Sequence, residues 1–393
     1  MTIDIQQTAQ EAIFNTYARY PLALVKGQGC TLYDDQGRSY TDFIAGIAVC
    51  NLGHAHPGLI EALTRQAETL WHVSNLFYTG PQTELAAWLT RHSFADKVFF
   101  ANSGAEANEA AIKLARKYFK DQGHPERFRV VSMQQSFHGR TMATLSATGQ
   151  DKVRKGFDPI LEGFDFVPFN DLEDLSCAIG PSTCAVLLEP IQGEGGVVVP
   201  DAAYLAQVRK LCDDSGCLLI FDEVQTGIGR TGKLFAYEHF NVSPDIMTLA
   251  KALGNGLPIG AMLASEKVAA SFGPGAHAST FGGTPLVSAV ALKVLQTLVA
   301  DDLIGNAARM GDYLMDRLRD LKEKHSVIKA VRGRGLLVGV LLSEPGSDLV
   351  TACREKGFLV NCIQENILRL APPLIVGRSE IDGLIQCLDA VLS

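Results

Sequence analysis

The sequence has no Cys-x-x-Cys pair, no block of like charge and no run of about 18 apolar residues, the length a membrane-crossing helix needs. Each absence removes a class. Nine cysteines are scattered at Cys30, Cys50, Cys177, Cys184, Cys212, Cys217, Cys353, Cys362 and Cys387. An odd count without paired spacing argues against a zinc centre or a disulfide framework and for buried thiols in a reducing compartment. Lysine and arginine number 35 against 43 aspartates and glutamates, a net charge of −8. That balance offers no nucleic-acid groove. The first residues, Met1-Thr2-Ile3-Asp4-Ile5-Gln6-Gln7, lack a basic stretch followed by an apolar one. No signal peptide is read there, and the cytoplasm is the expected compartment. The six-residue glycine spacing of a dinucleotide loop, a Walker loop, His-Glu-x-x-His and a Gly-x-Ser-x-Gly elbow are all missing, which counts against a nicotinamide dehydrogenase.

What is present is an ordinary globular composition, 47 % hydrophobic and 20 % charged over 393 residues, enough for a large core and more than one domain. After about 20 polar residues, strand-like runs at 23–25, 31–33 and 40–43 are broken by the hairpin turn Asp34-Asp35-Gln36-Gly37. Short apolar strands then alternate with amphipathic helices. The strands are expected at 98–100, 129–132, 185–188, 218–221, 246–249 and 259–263, with helices at 105–118 and 203–213 among others. This alternation predicts an α/β fold whose mostly parallel sheet has helices on both faces. A helical stretch from 286 to about 321, broken near Asp301-Asp302, leads to strands at 336–342, 358–360 and 367–370 and a closing helix from Ser379. These define a smaller C-terminal α/β domain. The expected division is 1–50, an N-terminal segment joining the small domain; 51–285, the large domain; and 286–393, the small domain.

Lys251 closes an apolar run, where burial disfavours its charge. Asp222 ends another such run 29 residues earlier (251 − 222), a spacing that fits strand, helix, strand. An amine able to form a Schiff base, beside a carboxylate able to hold a pyridine nitrogen protonated, is the core of a pyridoxal phosphate site. Asn102-Ser103-Gly104-Ala105-Glu106-Ala107 opens a helix directly after a strand, a place where free N–H groups receive phosphate; an ordinary capped helix start reads the same way. Phe137 has the shape to lie against a pyridine ring and Arg140 to hold a carboxylate, with core packing and a solvated charge as the plain alternatives. His138 reads as a histidine satisfied by its neighbours. Glu194, in Gly193-Glu194-Gly195-Gly196, sits on a tight loop. Ser279 and Thr280 supply hydroxyls suited to a second phosphate contact, and Arg369, inside an apolar strand, needs a negative partner.

Together with Gly53-His54-Ala55-His56-Pro57, Glu189-Pro190-Ile191-Gln192, Gln225-Thr226-Gly227 and Gly229-Arg230-Thr231-Gly232, these motifs stand in an order that resembles the class III (subgroup II) pyridoxal-phosphate aminotransferases over nearly the whole chain. The resemblance implies a fold-type I transferase using pyridoxal 5′-phosphate. It implies catalytic roles for Lys251, which carries the cofactor, and Asp222, which pairs with its ring nitrogen. Gln225 would contact the ring hydroxyl and Phe137 stack on the ring. Ser103, Gly104 and Ala105 would bind phosphate, and Thr280 would reach the phosphate held by the neighbouring subunit of a homodimer. Arg140 and Ser279 would contact the amine substrate. Arg369 would take the α-carboxylate of glutamate, with Glu194 as its partner otherwise. The members most like this chain act on N2-acetylornithine with 2-oxoglutarate, in arginine biosynthesis. Succinylornithine, succinyl-diaminopimelate and free ornithine are alternative amines, and an aminomutase of the same fold is an alternative chemistry. No metal, nucleic acid or membrane is implied.

Overall fold

The computed structural model describes residues 4–393 and organises them around three sheets. The central sheet has seven strands. In spatial order they are Lys97–Ala101, Gly260–Ala264, Ile246–Leu249, Leu218–Asp222, Thr183–Leu188, Arg129–Met133 and Phe164–Val167. Gly260–Ala264 runs antiparallel to both neighbours, and the other pairs are parallel. The sheet is thus mostly parallel, with one reversed strand.

Alternate side chains serve the two faces. Val130, Ala185, Leu187 and Ile220 pack with Ala110, Ala111, Leu114 and Ala115 of the helix Gly104–Asp121 on one side. Val131, Val186, Leu188, Leu219 and Phe221 enter the main core on the other. Coverage on both faces explains why Thr183–Leu188, Leu218–Asp222 and Ile246–Leu249 are buried at every position and read as unbroken apolar runs.

Three features depart from expectation. Phe164–Val167 forms the edge strand, yet its partly buried Phe-Asp-Phe-Val pattern is too short to read as one. Ile328–Arg334 and Asn361–Ile363 complete an antiparallel sheet in the order Ile328–Arg334, Leu337–Leu342, Ile367–Leu370, Asn361–Ile363; Lys, Arg and Asn within them hid the strands. Between Asp222 and Ile246 there is no α-helix but a run of turns with one short 3-10 helix, Ala236–His239. Gly227, Gly229 and Gly232 break helical propensity there, Gly229 and Gly232 at positive φ.

The chain's two ends meet. Phe358–Leu359 pairs in parallel with Ser39–Asp42, extending the sheet formed by Leu24–Gln28, Thr31–Asp34 and Ser39–Asp42. The turn after Asp34 is held by that carboxylate, which accepts from the N–H of Gln36 (3.0 Å) and Arg38 (2.8 Å) and from the Tyr40 hydroxyl (2.9 Å). Ala371 N–H donates to Phe43 O (2.8 Å) and Leu374 N–H to Asn51 O (2.7 Å). Arg230 fastens the same junction. Fully buried, it donates to the carbonyls of Leu336 and Pro372 and to the Asn51 side chain, and burial pulls its guanidinium down to about 9. No helix among the described residues is long and apolar enough to cross a membrane.

His54 reaches Asp42 at 2.8 Å. That hydrogen bond, aided by the Cys50 thiol and opposed by burial, raises the ring from 6.5 to about 9. The folded chain then binds this proton more tightly than the unfolded chain does. Its contribution to stability is complete below about pH 6.5 and is lost as pH rises through about 9. Urea midpoints measured across that window should fall more for the wild type than for His54→Asn; parallel pH profiles for the two proteins would contradict this coupling.

Candidate active site

At the carboxyl ends of the central strands lies a cavity of about 430 Å³, lined by Ser103, Gly104, Ala105, Asn108, Phe137, His138, Arg140, Glu189, Asp222, Val224, Gln225 and Lys251 among others. Open α/β sheets place their ligand crevices here. The parallel pairing of Leu218–Asp222 with Ile246–Leu249 sets the two central groups side by side: Asp222 is the last residue of one strand, and Lys251 lies two past the other. Lys251 has φ +44°, a left-handed conformation that a non-glycine residue adopts at a cost. Burial lowers its amine below the ordinary lysine range, opposed chiefly by Glu194. A lysine so placed is readily freed of its proton and available as a nucleophile.

Asp222 is 3 % exposed. Its Oδ2 accepts from Asn108 Nδ2 (2.7 Å) and lies 2.8 Å from His138 Nδ1, while Oδ1 accepts from Val224 N–H (3.0 Å). With Asp222 ionised, His138 must carry its hydrogen on Nδ1; Nε2 is buried without a partner. His138 is therefore held at Nδ1 by Asp222, but it is not fully satisfied by its neighbours, contrary to the sequence reading.

The helix Gly104–Asp121 begins at the cavity wall. Ser103 Oγ accepts from Glu106 N–H (3.2 Å), and Glu106 Oε2 accepts from Asn102 N–H (2.6 Å), so the start is capped. The N–H groups of Gly104 and Ala105 come too early for intrahelical acceptors and remain available to an anion. A Cβ at Gly104 would lie 2.8 Å from Val224 Cγ1, and one at Gly139 would lie 2.5 Å from Thr144 Oγ1 and 2.8 Å from Ala105 Cβ. Both glycines let backbone close around the cradle. Arg140 is exposed, with its guanidinium 5.7 Å from the Phe137 ring centre. Glu189, fully enclosed, accepts from Phe137 N–H (3.2 Å) and Gly193 N–H (3.0 Å), and burial lifts it to about 7.

Arg369 is 2 % exposed and pairs with Glu194. Both contact Gln225: Arg369 donates to its Oε1 (3.2 Å), and its Nε2 donates to Glu194 Oε1 (3.3 Å). Burial would raise the Glu194 carboxyl, but Arg369 overrides this and holds it below its usual range. Ser279 is tied to the site by Asn102 Nδ2, which donates to its Oγ (3.2 Å). Thr280 is exposed and lines a separate hollow with His72, Ser74, Asn75, Phe77 and Gln82. A larger groove, about 1100 Å³, runs along the N-terminal segment, and no residue singled out for catalysis or binding lines it. Reading the sequence assigned no role to Asn108, Glu189 or Val224, although Glu189 stands in the Glu189-Pro190-Ile191-Gln192 motif and an asparagine on the alanine-rich Gly104–Asp121 helix was a further signal.

The cavity fits pyridoxal phosphate: unpaired N–H groups at one end, a carboxylate with spare capacity at the other, Phe137 and Val224 on the walls, and an amine with lowered proton affinity. Residues 13–392 match the family Aminotransferase class-III. An acetylornithine aminotransferase of Caldanaerobacter subterraneus subsp. tengcongensis is 52 % identical over 97 % of this chain and 97 % of its own length. The crystal structure of the ornithine aminotransferase from Toxoplasma gondii ME49 superposes with a TM-score of 0.95 at 35 % identity, covering 98 % of this chain and 94 % of that one. N-acetylornithine aminotransferase from Stenotrophomonas maltophilia K279a superposes at 0.84 with 40 % identity, covering 95 % and 96 %.

Gly104→Ala should force Val224 or the helix start to shift, and an overpacked site costs about 1–3 kcal/mol. Equilibrium dialysis should show pyridoxal phosphate binding weakened about tenfold; wild-type affinity would contradict the tight fit at Gly104.

Proposed function

Because this chain belongs to the class-III aminotransferases, we propose that it transfers the δ-amino group of N2-acetyl-L-ornithine to 2-oxoglutarate, giving N-acetyl-L-glutamate 5-semialdehyde and L-glutamate. The observation that carries this reading is Lys251 and Asp222 on adjoining strand ends in one cavity, in a chain with half its residues identical to a relative named for that activity. In the cell the expected sense is the reverse one, producing acetylornithine for arginine synthesis.

Bound pyridoxal phosphate supplies an aldehyde and an electron-withdrawing ring. The protein supplies the rest. Lys251 would hold the cofactor through its Nζ. Its Nζ would be the base that takes the proton from the substrate's δ-carbon. Asp222 would keep the ring nitrogen protonated, Phe137 would lie against the ring, and Gln225 would meet its hydroxyl. Ser103, Gly104 and Ala105 would receive the phosphate. Arg369 holds the α-carboxylate of glutamate or 2-oxoglutarate in a two-pronged contact. When the amine is bound instead, Glu194 neutralises Arg369, the arrangement the pair has here. Arg140 and Ser279 contact the acylated end of the amine.

We further propose a cytoplasmic homodimer in which Thr280 of each protomer reaches the phosphate held by its partner. Thr280 is exposed and lines a hollow separate from the cofactor cavity, near the exposed Trp71, Leu76, Phe77, Tyr78 and Phe281. An apolar patch of this kind marks an interface. The division into 1–50, 51–285 and 286–393 is supported by the sheets, with residues 1–3 of its first segment outside those described.

Lys251→Ala should lack the lysine-dependent visible absorbance band and lose turnover. In the wild type, acetylornithine should bleach that band faster than ornithine, succinylornithine or succinyl-diaminopimelate, and turnover should require 2-oxoglutarate with ping-pong kinetics. A faster rate with free ornithine would reassign the amine, and turnover without an oxo acid would indicate an aminomutase. Sedimentation velocity should find a dimer, and Phe77→Glu should shift it toward monomer with weaker cofactor retention; a wild-type monomer with full activity would exclude the shared site.

A further inference from the structure

Asn108 lies four residues after Gly104, one turn into the helix whose start forms the phosphate cradle, and is 1 % exposed. Both N–H groups of its amide and one lone pair of its oxygen are directed at other parts of the site. Nδ2 donates to Asp222 Oδ2 (2.7 Å) and to the carbonyl of His138 (2.9 Å), and Oδ1 accepts from Thr248 Oγ1 (2.7 Å). Thr248 is in the strand that leads into Lys251, three residues before it. His138 adjoins Phe137, the residue on the ring face. One side chain therefore ties the phosphate helix to the stacking loop, to the carboxylate strand and to the lysine strand.

The count of donors on Asp222 gives this a consequence. A carboxylate offers about four acceptor positions. Asn108, His138 and Val224 take three of them, two on Oδ2 and one on Oδ1. The carboxylate plane is thereby fixed, and the position left over belongs to Oδ1. Without Asn108, Oδ2 keeps only His138 and Oδ1 only Val224 N–H, so the carboxyl group is held less firmly, and the direct hydrogen bond from phosphate helix to carboxylate is lost.

We propose that Asn108 is a positioning residue, setting the separation between the phosphate end and the ring-nitrogen end of the cofactor site and orienting Asp222 toward the ring nitrogen. The inference rests on the reading of the site as a pyridoxal phosphate site. Its test compares wild type, Asn108→Ala and Thr248→Val, using pyridoxal phosphate itself. Equilibrium dialysis gives affinity, and a pH titration of the visible band of the loaded protein reports how firmly the ring nitrogen is held. Losing a hydrogen bond to a charged group should weaken Asn108→Ala about tenfold and move the band's pH midpoint upward, because a less firmly protonated ring withdraws less charge from the lysine-bound nitrogen. Thr248→Val keeps the shape of the side chain but releases the amide, and should shift both readouts the same way by less. A lower melting temperature in both variants with wild-type affinity and midpoint would overturn the proposal, leaving Asn108 a structural residue. If Asn108→Ala does not fold, Thr248→Val decides alone: unchanged affinity and midpoint overturn it. A wild-type protein that takes up no cofactor would instead overturn the underlying reading, and this one with it.

Discussion

The lateral pairing of two parallel strands, Leu218–Asp222 and Ile246–Leu249, is the constraint on which the rest of the molecule depends. It places a carboxylate and an amine at one crevice with their charges largely withdrawn from water. Neither placement is favourable alone. The carboxylate is accommodated by three donors, and the amine by its lowered proton affinity and the nearby negative charge of Glu194. The backbone contributes as well, since Lys251 is held at a positive φ that the tight turn after the strand imposes.

Around that pair the polar groups form two connected sets. One runs from Thr248 through Asn108 to Asp222 and His138 and fixes the floor of the cavity. The other runs from Arg369 through Glu194 and Gln225 and lies where the small sheet meets the large one. Buried polar chains of this kind are costly when partly satisfied and rigid when complete. The first set is nearly complete, with His138 Nε2 its one unpaired atom. The second is a buried guanidinium balanced by the partly exposed carboxylate of Glu194.

Arg230 shows how the scaffold supports this arrangement. Its three hydrogen bonds join the turn after Asp222, the N-terminal segment at Asn51, and the C-terminal carbonyls of Leu336 and Pro372. The strand carrying Arg369 belongs to that C-terminal unit. The orientation of Arg369 toward Glu194 therefore depends on a junction remote from the chemistry, built from residues far apart in the chain. In the sequence Arg230 is one letter of a glycine-rich motif with no visible partner.

The central strands were legible because burial on both faces leaves uninterrupted apolar runs, and residues with special chemistry stand out at their ends. Lys251, Asp222 and Gly104 stand out in that way, and Arg369 as a charge inside an apolar strand. Phe164–Val167 and Asn361–Ile363 were not, because short strands at a sheet's edge or rim keep polar side chains and lose the pattern. The loop between Asp222 and Ile246 was mistaken for a helix because spacing counts residues and not their conformation. The sequence by itself determined the sheet's core strands, the capped helix start and the identity of the reactive groups, all properties of neighbours along the chain. Only the tertiary structure decided that Asn108 and His138 converge on Asp222, that Glu189 holds Phe137, and that Thr280 lines a hollow apart from the main cavity. The hydrogen bonds among these join residues 52 to 114 apart in sequence, and no local pattern encodes which distant side chain will occupy a hydrogen-bonding position.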